Sequence, residues 1–210
     1  MLLETYLKDY FVNKAAFATL SGIAVERLDQ LIGAGAIPRA TYTCNGTCIA
    51  SAAFGATAID EPLEGEFFRP ECVRWAKIAD KAPSGTGEAA VRAALVEELT
   101  AALRDHGYND DVIEAKVLNY IPSFFNGTFG LCVADPSTGA GIIRKEILQQ
   151  TLTEITIDGT VPSPEGYAKE DLLTLIDDYA RAAMPFSPAE YERSSRKRLV
   201  DDLRALVTKA

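Results

Sequence analysis

Apolar residues recur at the three- and four-residue spacing of a helix through almost the whole chain, which limits the fold more than any other feature. Leu2, Leu3, Tyr6, Leu7, Tyr10 and Phe11 give a first amphipathic helix. Asn13 can cap a second, with Ala16, Phe17 and Leu20 inward, and Ser21-Gly22 breaks it. A third, over about 25–34, buries Val25, Leu28, Leu31 and Ile32 and stops before Gly35. Two short helices joined by a glycine turn predict a helix-turn-helix. Asn45-Gly46 between the β-prone runs 40–44 and 47–49 predicts a hairpin, because both turn residues must accept positive φ. Together these read as a winged-helix-like unit.

Residues 51–68, rich in small residues and glycine, read as a connector. Pro70 then opens a helix with Cys72, Trp75, Ala76 and Ala79 on one face. Pro83-Ser84-Gly85-Thr86-Gly87 reads as a linker, dividing a helix-turn-helix/hairpin subdomain at 1–82 from a helical domain at 87–210. Past it the stripes are helical: Val91, Leu95, Leu99 and Leu103; then Val112, Ile113, Val117 and Leu118 behind the cap Asn109. Ile142, Ile143, Ile147 and Leu148 follow, then Leu172, Leu173, Ile176 and Tyr179. Ser187-Pro188-Ala189-Glu190 has the form of a capping box and should open a last helix carrying Leu199, Leu203 and Leu206. The expected fold is mainly α: a helix-turn-helix with a small β-hairpin packed on an all-α C-terminal domain.

A net charge of −9 works against non-specific attraction to nucleic acid or anionic membrane. Within residues 1–40, Lys8, Lys14, Arg27 and Arg39 are matched by Glu4, Asp9, Glu26 and Asp29, so the expected recognition helix has no cationic surplus for phosphates. No stretch approaches the ~18 uncharged apolar residues of a membrane span, and Glu4, Lys8 and Asp9 interrupt any secretory apolar core. The expectation is a cytoplasmic protein with reduced thiols. Asn45-Gly46-Thr47 and Asn126-Gly127-Thr128 are then turns rather than glycosylation sites.

Cys44 and Cys48 are spaced acceptably for zinc, but Cys72 and Cys132 stand apart and His106 is the one histidine, so no metal and no cofactor is expected. His106 ends a helix, where its default role is a cap. If the protein is an enzyme, Glu146, Cys132 and His106 are the candidates for proton transfer or nucleophilic work, in falling order. For an anion contact the candidates are Arg144, Arg193 and Arg196, with Ser194 as a hydrogen-bond donor. The bland alternative is a solvated face in which Arg193 to Arg198 pair with Glu190, Glu192, Asp201 and Asp202. Ser195, four residues from Tyr191 and Leu199, should turn toward the core.

Several stretches resemble a bacterial family of uncharacterised natural-product biosynthesis proteins. They are Tyr6-Leu7 to Phe11-Val12, Ile37-Pro38, Tyr42, Phe67-Phe68-Arg69-Pro70 with Val73-Arg74-Trp75, Phe125 to Cys132, Ile143-Arg144-Lys145-Glu146, and Ser187-Pro188 through Arg196. The resemblance implies a place among secondary-metabolite genes and carries over no residue with a role. The small residues from Cys48 to Ala58 depart from it. The leading reading is a biosynthetic or accessory protein of such a pathway, acting on a small anionic or carrier-bound substrate. Two other readings stand beside it: a winged-helix transcriptional regulator, and a structural partner-binding module whose hairpin and first helix form a homodimer.

Overall fold

Tyr6, Phe11, Tyr42 and Phe68 belong to four different segments, yet all are buried in one apolar cluster, and the way they meet sets the architecture. The computed structural model describes residues 2–60 and 62–209. In chain order the elements are α1 Leu3–Tyr10, β1 Val12–Asn13, α2 Lys14–Ser21, α3 Val25–Gly33, β2 Tyr42–Asn45, β3 Cys48–Ser51, β4 Gly55–Ala58, β5 Glu64–Phe68 and α4 Val73–Lys81. There follow α5 Gly87–Asp105, α6 Asp110–Phe125, α7 Thr128–Cys132, α8 Gly139–Ile155, α9 Lys169–Ala182, a π-helical segment Lys197–Asp202 and α10 Leu203–Lys209.

The expected mainly α fold is corrected to α+β. The strands form one antiparallel sheet ordered β1-β5-β2-β3-β4, so the anticipated small hairpin is the β2–β3 pair inside a five-stranded sheet. β5 inserts between β1 and β2, pairing Tyr42 with Phe67 and Val12 with Phe68. Residues 51–68, read as a connector, supply β4 and β5. A winged-helix arrangement does not describe this sheet, and the all-α description of the C-terminal part is not carried either: Val133 and Ala183 form an isolated antiparallel bridge there.

Local signals fare better where they are chemical. Asn13 Oδ1 accepts from Ala16 N and Asn109 Oδ1 from Val112 N, capping α2 and α6. Thr128–Cys132, which alone could be a strand or a buried turn, is the short helix α7. The Ser187–Glu190 box opens no helix: Glu190 turns inward, a 3₁₀ turn Tyr191–Arg193 follows, and Ser194 caps the final helix by accepting from Lys197 N at 3.0 Å.

One apolar cluster runs from α1 through α8 and includes Met184 and Phe186, while a second gathers Leu152, Ile176, Leu199 and Leu203 from α8, α9 and the last helix. α8 begins against α5 at Gly139, whose amide donates to Glu98 Oε2 at 2.8 Å. A Cβ there would lie 2.6 Å from Glu98 Cβ and 2.7 Å from Leu99 N. Gly139→Ala is therefore expected to destabilise the protein by about 2 kcal/mol through overpacking against a backbone that cannot yield. Urea denaturation would show it, and an unchanged midpoint would refute this close approach.

Candidate functional site

The end of β5 fixes the floor of a cavity. Arg69 is 3% exposed, and its guanidinium donates to the carbonyls of Gly130 (3.2 Å), Val133 (3.2 Å) and Ala134 (2.8 Å). That grip holds α7 against the sheet and presents Cys132 to α8, where Ile142, Lys145, Glu146 and Gln149 follow one another at helical spacing. The cavity has a volume of about 410 Å³, opens to solvent, and is lined from α6, α7, α8, the β3–β4 turn, Phe186 and the start of the last helix. Phe54, Tyr120, Phe129 and Phe186 supply its aromatic wall. Its ionic lining is Lys145, Arg193 and Arg198 against Glu146, a cationic balance in an acidic protein.

Lys145 is 3% exposed. Its ammonium donates to Glu146 Oε1 at 2.8 Å and lies 3.5 Å from Cys132 Sγ. Burial works against that charge, but Cys132 in its ionised form and the Glu146 carboxylate outweigh it and hold Lys145 above its ordinary range. Burial pushes the Cys132 thiol up, and Lys145 offsets only part of this. Burial, with Glu146 adding to it, raises Tyr120 to about 12. Burial likewise raises Tyr179, which donates to Ser195 Oγ at 2.8 Å. Near neutral pH the site thus presents a fixed ammonium, a protonated thiol and protonated phenols. Such a set suits holding an anion and donating hydrogen bonds to it.

Of the residues expected from sequence, Glu146, Cys132 and Arg193 meet in this cavity. The others do not. His106 sits over a separate depression beside Arg74, Glu98 and Thr138, its Nδ1 2.8 Å from Ala102 O. Arg144 is exposed and pairs with Asp178 at 3.6 Å. Arg196 donates to Ala180 O and Ala183 O, closing the end of α9. Ser194 is buried and spends its hydroxyl on Tyr191 O.

The sequence marks none of Lys145, Ser195 and Arg198 as a residue of this lining. A lysine on the apolar face of α8 was the available sign for Lys145. Ser195 is half-buried at the cavity instead of turned into the core, and Arg198 reaches it from the π-helical segment. Among the described residues no group of three or more His, Cys, Asp or Glu is placed to hold a metal, and no helix is long and apolar enough to cross a membrane. On α2 and α3 the cations are engaged: Lys14 with Asp29 and Glu66, Arg27 with Asp80.

Among known proteins, the match is to a family described as "Family of unknown function (DUF6058)", over residues 89–208, more than half of the chain. Neither the curated proteins nor the solved structures give a match. The matched span contains α7, α8 and the last helix, hence Cys132, Lys145, Glu146, Arg193 and Arg198; the sheet that supports α7 lies before it.

Proposed function

The chain belongs to DUF6058, a family of unknown function, and we propose that in this member the cavity over α7 and α8 binds a small anionic molecule, free or carrier-bound, as a biosynthetic or accessory protein of a natural-product pathway. The observation that carries the reading is the buried Lys145 ammonium at the base of a cavity with a cationic surplus. A charge so rarely buried has to be held by partners, and here one partner, Glu146, is itself part of the lining. The volume is that of a small-molecule site, and the aromatic wall supplies apolar contact for the ligand's body. The pathway setting is supported by the sequence resemblance alone.

The test is thermal-shift screening of the full chain against a broad panel of small organic acids and phosphate esters, followed by calorimetry on hits. At least one class should bind, with affinity falling as salt rises. Arg193→Ala, a surface change, should weaken it by about 10–100-fold, the effect of one charge-assisted contact. Absence of binding by every class, or binding indifferent to Arg193→Ala, would remove the reading.

A further inference from the structure

Two uncommon backbone conformations meet at one side chain. Residues 197–202 are π-helical, a form found mostly as short bulges at functional sites, and Arg198 lies within them. The turn after α8 carries Ile157 at φ 48°, Asp158 at φ 58° and Gly159 at φ 87°, three successive left-handed residues. For a β-branched residue such as Ile157 that conformation is a true outlier, kept only when the surroundings over-determine it. They do so here. Gly159 N donates to the buried Thr156 Oγ1 at 2.8 Å, Asp158 N to Thr153 O at 2.7 Å, and Val161 N to Thr156 O at 2.8 Å. The turn also packs onto the π segment, where a Cβ at Gly159 would lie 3.1 Å from Arg198 O.

What the turn delivers is the Asp158 carboxylate, whose Oδ1 accepts from Arg198 Nε at 2.9 Å. Arg198 is thereby held by its inner nitrogen, while its two terminal amino groups have no partner among the described residues and the side chain lines the cavity. Arg193, which lines the same cavity, is steadied by donating to Thr57 Oγ1 at 2.7 Å and by lying over the Phe54 ring at 5.1 Å. Ser195, in the same lining, is 2.8 Å from the Tyr179 hydroxyl, which also lies 3.3 Å from Gln149 Oε1; with Tyr179 donating to Ser195, the serine's own hydrogen faces the ligand.

We infer that Asp158 is a positioning residue that aims Arg198, that Arg198 and Arg193 with Ser195 form a clamp for a tetrahedral oxyanion, and that the ligand class is a phosphate monoester on an aromatic or apolar body. The inference rests on the small-anion reading above and deepens it. Two guanidinium forks and a hydroxyl offer donors to three oxygens, which a phosphate monoester has and a carboxylate lacks. Phe54 and Phe186, in edge contact at 6.0 Å, wall the space for the ligand's body.

Calorimetry of the full chain with phenyl phosphate and with benzoate tests it. Phenyl phosphate should bind at least about tenfold more tightly, and Arg198→Lys, which keeps the charge and loses the fork, should lower that affinity by about fivefold or more. Asp158→Asn is the decisive variant. Removing a negative charge by itself favours any anion, so a merely electrostatic role predicts tighter binding of both probes. The positioning role predicts phenyl phosphate binding weakened about fivefold in spite of that gain. Equal affinities for the two probes, no binding of phenyl phosphate, or unchanged or tighter binding by Asp158→Asn would overturn the inference. If other small anions still bind the wild type and are lost in Arg193→Ala, only the clamp falls; if no anion binds, the broader reading falls with it.

Discussion

Replacing Arg69 with methionine is expected to cost the folded state about 3–5 kcal/mol, the loss seen when a buried charged partner is deleted. Methionine fills much of the same volume, so the effect isolates the guanidinium. Three carbonyls, on Gly130, Val133 and Ala134, would lose their donor where water cannot readily replace it. Glu71, paired with Arg69 Nε at 2.8 Å, would lose its partner too, although it is partly exposed and loses little by that. Arg69→Lys keeps the charge but offers one ammonium to three divergent acceptors, so a loss intermediate between wild type and methionine is expected. Urea denaturation followed through Trp75, the one tryptophan and fully buried, reports the change directly. In thermal unfolding the methionine variant should melt about 6–20 °C lower. A loss under about 1 kcal/mol would mean that the carbonyls find other donors and that α7 is not held by the sheet. Because α7 presents Cys132, anion binding should weaken in the same variant even where it remains folded.

Arg69 also shows how far the sequence could be read. Phe67-Phe68-Arg69-Pro70 stood out as a motif, but its guanidinium reaches residues 61 to 65 positions further along the chain, and no local period reports such a partner. The helices were legible because each buries a stripe of its own: Leu95, Leu99 and Leu103 on α5 are all fully buried. β4 was not. Its Gly55-Ala56-Thr57-Ala58 is an edge strand with three of its four residues exposed, so neither β propensity nor alternation marks it. β5 buries only Phe68 and owes its place to pairing with Tyr42–Asn45, some twenty residues earlier. The winged-helix expectation failed at that non-local pairing. In the site, Glu146 and Cys132 were found because an acid and a thiol beside apolar runs are chemically conspicuous. Lys145 sits within the charged triplet Arg144-Lys145-Glu146, where a lysine is ordinarily solvated and so does not stand out. Regular helical spacing from Arg193 favours Arg196 over Arg198, but Ser194 is extended and breaks the helical path, and Arg198 lies in the π segment that follows.

The same C-terminal segment is anchored by a carboxylate that hydroxyls hold, with no ion pair among the described residues, and its removal should be as costly as that of Arg69. Glu190 is 1% exposed. Its Oε2 accepts from Tyr42 Oη at 2.8 Å and Ser187 Oγ at 3.1 Å, and its Oε1 from Ser51 Oγ at 2.7 Å. Burial, then the neighbouring Tyr6 and Glu190, holds the Tyr42 hydroxyl protonated well above the usual tyrosine range, so its proton stays available to the carboxylate. Tyr42 and Ser51 belong to β2 and β3, so these bonds tie the approach to the last helix onto the sheet and set where Arg193 and Ser195 meet the cavity. Glu190→Leu is expected to cost about 3–5 kcal/mol, since three buried hydroxyls lose their acceptor together. Glu190→Gln should cost about 1–2 kcal/mol, because one oxygen remains and a hydroxyl can rotate to accept from the new amide. The two effects are coupled in a way that a generic loss of packing is not. Ser51→Ala should cost more in the wild type than in the Glu190→Leu background, where only the bond Ser51 Oγ accepts from Phe54 N at 3.2 Å is left to lose, giving an interaction energy of about 1 kcal/mol or more in a double-mutant cycle. Denaturation of the four proteins measures it. Additive losses, or a leucine variant within about 1 kcal/mol of wild type, would show that this buried carboxylate does not hold the C-terminal segment in place.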